Sequence, residues 1–266
     1  MEKKSIDTQV KVAYDSYANE YFVARVTGNL RNRVNNFTEL PAMINSVIEH
    51  GGNKNQFHLD VGCGPGIHAK EYQVMGGTVF GIDQSNPMIE IAKQNSPLVE
   101  FEVGTVYNLP FKDNSFDIVT ASLMMFHLDH FDNALQEVRR VLKPQGIFHY
   151  SDLNSLYLSR EHMSGSNESK LLFGHTRNKI TGEVEVYGNT VPEGSVIEVP
   201  FMEGSTVPCY KRTFASHVSS LTNNGFCLVG YRDAFPLPEF ERVRPNAYQI
   251  LSKVPPYAIY SARVLG

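Results

Sequence analysis

The chain has 266 residues, 42% hydrophobic and 20% charged, with 24 Lys and Arg against 28 Asp and Glu for a formal net charge of −4. A length of that order folds as one large domain, or one domain with an insertion, and the composition excludes a wholly disordered chain. No dense Lys/Arg block favours a nucleic acid as partner, and no window approaches the ~20 apolar residues of a membrane span, so the expectation is a cytoplasmic protein.

In chain order, a polar and aromatic N-terminal stretch carries Tyr14, Tyr17 and Tyr21 at helical spacing on one face. A helix is predicted from Thr38 to His50, with Thr38 as N-cap, Pro41 in the first turn and Gly51 as the stop. From residue 57, β-rich runs alternate with amphipathic segments: strands at 57–61, 78–83, 99–103, 116–123 and 146–152, helices at 68–75, 87–95 and 131–142. This rhythm specifies an α/β fold with a parallel sheet covered on both faces.

The rhythm breaks between Leu153 and Tyr210. Two alternating runs there, 183–189 and 195–201, flank the turn-rich segment NTVPEG and predict an antiparallel hairpin. A helix ending at Gly225 and strands near 226–232 and 257–264 complete seven sheet strands. The expected organisation is a binding domain from 1–152 and 211–266, with an N-terminal lid over 1–52 and an inserted cap over 153–210, through which a homodimer can also form.

The strongest motif is LDVGCGPGIHA, from Leu59 to Ala69, where a buried strand runs into a helix. Gly62, Gly64 and Gly66 allow positive φ and close approach of a ligand to the backbone. Asp83 ends the second strand and suits the two ribose hydroxyls of an adenosine-containing ligand; its alternative role is capping the next helix, which Ser85 or Asn86 equally serves. A dinucleotide fingerprint requires a third glycine at position 67, and this chain has Ile67. A nicotinamide-dependent oxidoreductase is thereby disfavoured.

Four motifs in order, LDVGCGPG, GIDQSNPMIEIAK, NLPFKDNSFDIVTASL and EVRRVLKPQG, resemble the class I S-adenosylmethionine-dependent methyltransferases, especially the branch of ubiquinone and menaquinone biosynthesis. The resemblance runs from about Tyr14 to Asp152. It implies a Rossmann-like, mostly parallel seven-stranded sheet of order 3-2-1-4-5-7-6. It also implies that Asp60 and the loop of Gly62, Cys63, Gly64 and Gly66 hold the methionine portion of S-adenosylmethionine, Asp83 the ribose, and Gln84 and Met88 the adenine, with Ala121 facing the methionine end. One position departs from the pattern. The loop after the third strand reads Gly104, Thr105, Val106 where the family carries an acidic residue, leaving a Thr105 hydroxyl and the Val106 amide for the base.

A lid bearing Tyr14 and Tyr21 suits a sulfonium cation, since aromatic faces stabilise cations. Arg25 and Arg31 are candidates for the donor's carboxylate, although a solvated surface role is the default for each. His127 and His130 follow the fourth strand, where a histidine can take a proton from an oxygen or nitrogen nucleophile; His127 is the favoured candidate, and the alternative roles are shaping the pocket for His127 and beginning the next helix for His130. Pro208-Cys209 falls in the insertion, away from the fourth-strand position a cytosine-methylating cysteine occupies, and no Asn-Pro-Pro-Tyr motif follows that strand. Cys63, Cys209 and Cys227 form neither a CxxC nor a Cys/His cluster, so no metal is expected. The expected function is methyl transfer to a small molecule, with Tyr187, Phe201, Met202, His175, Arg177 and Arg212 of the cap region contacting the acceptor. The competing reading is a catalytically silent S-adenosylmethionine-binding partner subunit.

Overall fold

A computed structural model describes residues 5–26, 34–52, 55–154, 160–162, 169–171, 173–177, 181, 184–188, 193–202 and 204–265. Counting only the strands of the main sheet, these are β1 (Phe57–Val61), β2 (Thr78–Asp83), β3 (Glu100–Val103), β4 (Phe116–Ala121), β5 (Leu142–Leu153), β6 (Phe226–Asp233) and β7 (Tyr257–Val264). The observed order is β3-β2-β1-β4-β5-β7-β6. Neighbours from β3 to β5 are parallel, and β7 runs antiparallel to both β5 and β6. The sheet order therefore agrees with the expected one.

The period-2 alternation of β4 divides two cores. Val119 and Ala121 pack with Leu135 and Val138 of helix 131–141 and Leu221 of helix 214–223, while Ile118 packs on the other face with Met43, Val47 and Tyr72. The first strands match the predicted bounds because a buried parallel strand is bounded by its own hydrophobic run.

Elsewhere the structure differs. Thr38 does not cap helix 39–49 through its side chain; its hydroxyl donates instead to Val34 O at 2.9 Å, one turn earlier. Two short helices, Glu239–Val243 and Pro245–Leu251, occupy a stretch to which no element was assigned. The predicted hairpin is repartnered: Val184–Gly188 pairs with Phe173–Arg177, and Val196–Pro200 pairs with Thr206–Tyr210. Alternation identifies a strand but not its partner, and each run found a neighbour on its other side. Strand 206–210 also packs into the domain, with Cys209 clustered against Leu123, Phe126 and Leu153.

Burial keeps several histidines neutral. It pushes His58 and His217 down to about 3 and His127 to about 4, and it holds His149 well below the usual range. Burial acts oppositely on acids, raising Asp60 to about 6 and Asp152 to about 7. Below an unfolded histidine pKa of about 6.5 the unfolded chain takes up protons on these histidines and the folded chain does not, so their contribution to stability is lost on acidification. The two carboxyls offset part of this, because the folded state holds their protons in the same window. Histidines outnumber them, and the melting temperature is expected to be lower at pH 5 than at pH 7; an equal or higher value at pH 5 would contradict the assignment.

Candidate active site

The carboxyl ends of the parallel strands are where open α/β sheets bind ligands, and a cavity of about 950 Å³, counting its mouth, lies there. Its floor is the loop after β1. Gly62, Gly64 and Gly66 all have positive φ, at 65°, 51° and 75°, but they do different things. A Cβ on Gly62 would meet the Met124 side chain at 2.7 Å, and one on Gly66 the Phe101 ring at 2.9 Å, so both are packing glycines. A Cβ on Gly64 meets nothing within 4 Å, and Gly64 lines the cavity.

Asp83 ties the floor to the next loop. Its carboxylate accepts from Gly64 N at 2.9 Å and from Ser85 N at 2.8 Å, and burial raises its pKa. The helix that follows is capped by Ser85, whose hydroxyl accepts from Met88 N. Asp83 is thus released from the capping role.

Of the residues singled out from sequence, Tyr14, Tyr21, Gly62, Cys63, Gly64, Asp83, Gln84, Thr105, Val106 and His127 line the cavity. Asp60, Gly66, Met88 and Ala121 do not. Asp60 faces Thr120 on the adjacent strand, whose hydroxyl donates to it at 2.8 Å, and its second oxygen is buried without a partner. Met88 and Ala121 are fully buried, and Ser122, Leu123 and Met124 form the wall beyond β4.

Arg25 is not a surface residue. It is 4% exposed, lines the cavity, and donates through Nε to Asn36 Oδ1 at 3.0 Å and through Nη1 to the Tyr21 hydroxyl at 2.9 Å. Its Nη2 is buried with no acceptor. Arg31 lies outside the described residues. Sequence reasoning also missed a polar group behind this wall: Glu39 is fully buried and accepts from His68 Nε2 and the Ser151 hydroxyl, both at 2.8 Å. Burial opposes ionisation of Glu39, but His68, Ser151 and Arg25 together hold its pKa below the ordinary value. A glutamate inside an amphipathic helix gives no local sign of such a partnership.

His127 sits in a short helical turn, Met125–His127. Its Nδ1 lies 2.8 Å from Pro208 O and must carry the proton, because a carbonyl only accepts. Nε2 is then the lone-pair nitrogen. The insertion contributes more than that carbonyl: Phe201 packs on Tyr14 at 4.5 Å and on Tyr21 at 5.7 Å between ring centroids. Cys209 Sγ lies 3.5 Å from His127 Nδ1, so the fold brings this cysteine to the fourth-strand exit after all. Burial pushes its thiol pKa up, which disfavours a thiolate nucleophile. Arg212 donates to Met125 O and Leu128 O and thus braces the His127 turn. The side chains of His175, Arg177 and Tyr187 lie outside what the structure describes. No cluster among the described residues has the donors to hold a metal, and no helix among them is long and apolar enough to cross a membrane.

Residues 59–150 match the family model described as a methyltransferase domain. A demethylmenaquinone methyltransferase of Renibacterium salmoninarum is 39% identical over 88 residues, covering 33% of this chain and 37% of that protein. A malonyl-[acyl-carrier protein] O-methyltransferase of Buchnera aphidicola is 28% identical over 159 residues, 59% of this chain and 58% of that protein. The chain thus spans less than two thirds of these curated relatives. In structure it is similar to an S-adenosylmethionine-dependent methyltransferase from Mesorhizobium loti, with a TM-score of 0.63 at 22% identity over 84% of this chain and 96% of the other.

Proposed function

The chain carries a class I S-adenosylmethionine-dependent methyltransferase domain, and from that premise we propose that it transfers a methyl group from S-adenosylmethionine to an O, N or C nucleophile of a small molecule. The observation that carries this reading is that an open-faced Gly64 bonded to Asp83 and an Arg25 whose Nη2 is buried without an acceptor line the same cavity. These groups fit the donor. Asp83 has acceptor capacity left for ribose hydroxyls, and Arg25 Nη2 suits the amino-acid carboxylate. The aromatic faces of Tyr14 and Tyr21 suit its sulfonium. The donor supplies an already activated methyl group.

The protein's task is then to hold two reactants in line, which is worth ~7–11 kcal/mol of a reaction barrier. His127 serves the acceptor. Its neutral Nε2 accepts the hydrogen of the nucleophile, while Pro208 O fixes the ring and tautomer. Burial makes its conjugate acid unfavourable, so it orients the nucleophile more than it stores a proton. The aromatic contact of Phe201 with Tyr14 and Tyr21 of the lid supports the reading of the insertion as a cap on the acceptor side.

Supplying a cell extract and the purified chain with a donor bearing a deuterated methyl group tests this reading by mass spectrometry. A small molecule gaining the labelled methyl only when the chain is present supports it; label confined to the unreacted donor favours a silent binding subunit. The Arg25 role has its own test. Arg25→Ala is expected to weaken S-adenosylhomocysteine at least tenfold, yet to change 5′-methylthioadenosine, which lacks the carboxylate, less than threefold. Equal losses for both ligands in calorimetry would assign Arg25 to lid packing alone.

A further inference from the structure

We infer that Asp7, in the first turn of the lid helix Ile6–Ser16, accepts the exocyclic amine of the bound adenine and makes the site selective for a 6-aminopurine over a 6-oxopurine. The inference rests on the donor-binding reading above. Two carboxylates line the cavity among the described residues, Asp7 and Asp83. Asp83 belongs to the end of β2 and the ribose. A base amine therefore has Asp7 as its remaining carboxylate acceptor.

Asp7 is held by three hydrogen bonds, one from Tyr107 of the loop after β3 and two shared with Asp129. Tyr107 Oη donates to its Oδ2 at 2.9 Å, Asp129 N donates to its Oδ1 at 3.4 Å, and Asp7 N donates to Asp129 Oδ2 at 3.2 Å. Each carboxylate oxygen has a second lone pair, so the acceptor is oriented but not used up. The loop it docks on, Gly104–Tyr107, offers no acid of its own, and its Thr105 hydroxyl already accepts from Tyr107 N at 3.4 Å. Val10, Ile82 and Val106 supply apolar lining to the same cavity. The Val106 amide has no acceptor among the described residues.

A free amide and a carboxylate lining one cavity complement the N1 acceptor and N6 donor of adenine. It opposes hypoxanthine, whose O6 accepts and whose N1 donates; sites built on such polar matches reject the wrong analogue strongly. The simpler role, a latch holding the lid, predicts no such selectivity.

Calorimetry at pH 7.5 with S-adenosylhomocysteine and its 6-oxo analogue S-inosylhomocysteine separates the two. The unaltered chain should prefer the 6-amino ligand at least tenfold. Asp7→Ala, and Asp7→Asn whose carboxamide can also donate to O6, should reduce the preference below threefold while melting confirms folding. Asp7→Asn keeps one acceptor oxygen for Tyr107 and the bond from its own amide to Asp129, and gives up only the bond from Asp129 N, so it disturbs the latch less than alanine does. Variants that lose affinity for both ligands but keep the tenfold preference would overturn the inference and leave Asp7 a latch, as would an unaltered chain with no preference. A chain that binds neither ligand would instead bring down the donor-binding reading itself.

Discussion

Replacing Gly64 by valine is expected to abolish S-adenosylhomocysteine binding in a protein that still folds. A Cβ built on this residue touches no other atom within 4 Å, so the added side chain projects into the cavity without disturbing the core. The cost to the fold is the left-handed backbone at φ 51°, roughly 1–2 kcal/mol for an L side chain and more for a β-branched one. That lowers the melting temperature by several degrees without unfolding the chain. The same change at Gly62 or Gly66 is a packing insult, since the new Cβ would lie under 3 Å from Met124 or Phe101. Normal binding by a folded Gly64→Val protein would show the loop to be structural.

Asp83→Ala is expected to weaken S-adenosylhomocysteine at least tenfold. Each charge-assisted hydrogen bond is worth ~1.5–3 kcal/mol, and ~1.4 kcal/mol is a decade in affinity. The structure adds a second source of loss. The carboxylate also receives Gly64 N and Ser85 N, so its removal loosens the floor of the cavity and leaves two amides without their acceptor. Asp83→Asn, which retains an acceptor oxygen, should fall between the two in calorimetry. Unchanged affinity in a folded alanine variant would place the ribose elsewhere.

What was legible in the sequence was whatever depends on near neighbours. The glycine loop, Asp83 and the bounds of β1, β2 and β7 follow from local hydrophobic runs and from conformations that only glycine adopts freely. Arg25 was legible only as a candidate for the donor's carboxylate, with a solvated role as its default; its burial follows from bonds to Tyr21 and Asn36. Asp7 was not legible, because an aspartate on an amphipathic helix reads as solvated until the lid folds against a segment more than a hundred positions away, as the Asp7–Asp129 bonds show. The fixing of His127 by Pro208 O is likewise a contact across 81 positions, between a strand exit and an insertion that sequence reasoning kept apart. The insertion itself shows the limit most plainly. Its strands were visible as alternating runs, but their pairing depended on turns and on packing against Leu123, Phe126 and Leu153.

Whether the cavity between the lid and the β1 loop holds the methyl donor is decided by titration calorimetry of the purified chain with S-adenosylhomocysteine and, separately, NAD. Saturable one-to-one binding of S-adenosylhomocysteine that Gly64→Val removes is expected, with no heat from NAD. Binding of NAD in place of S-adenosylhomocysteine, or of neither, would contradict it.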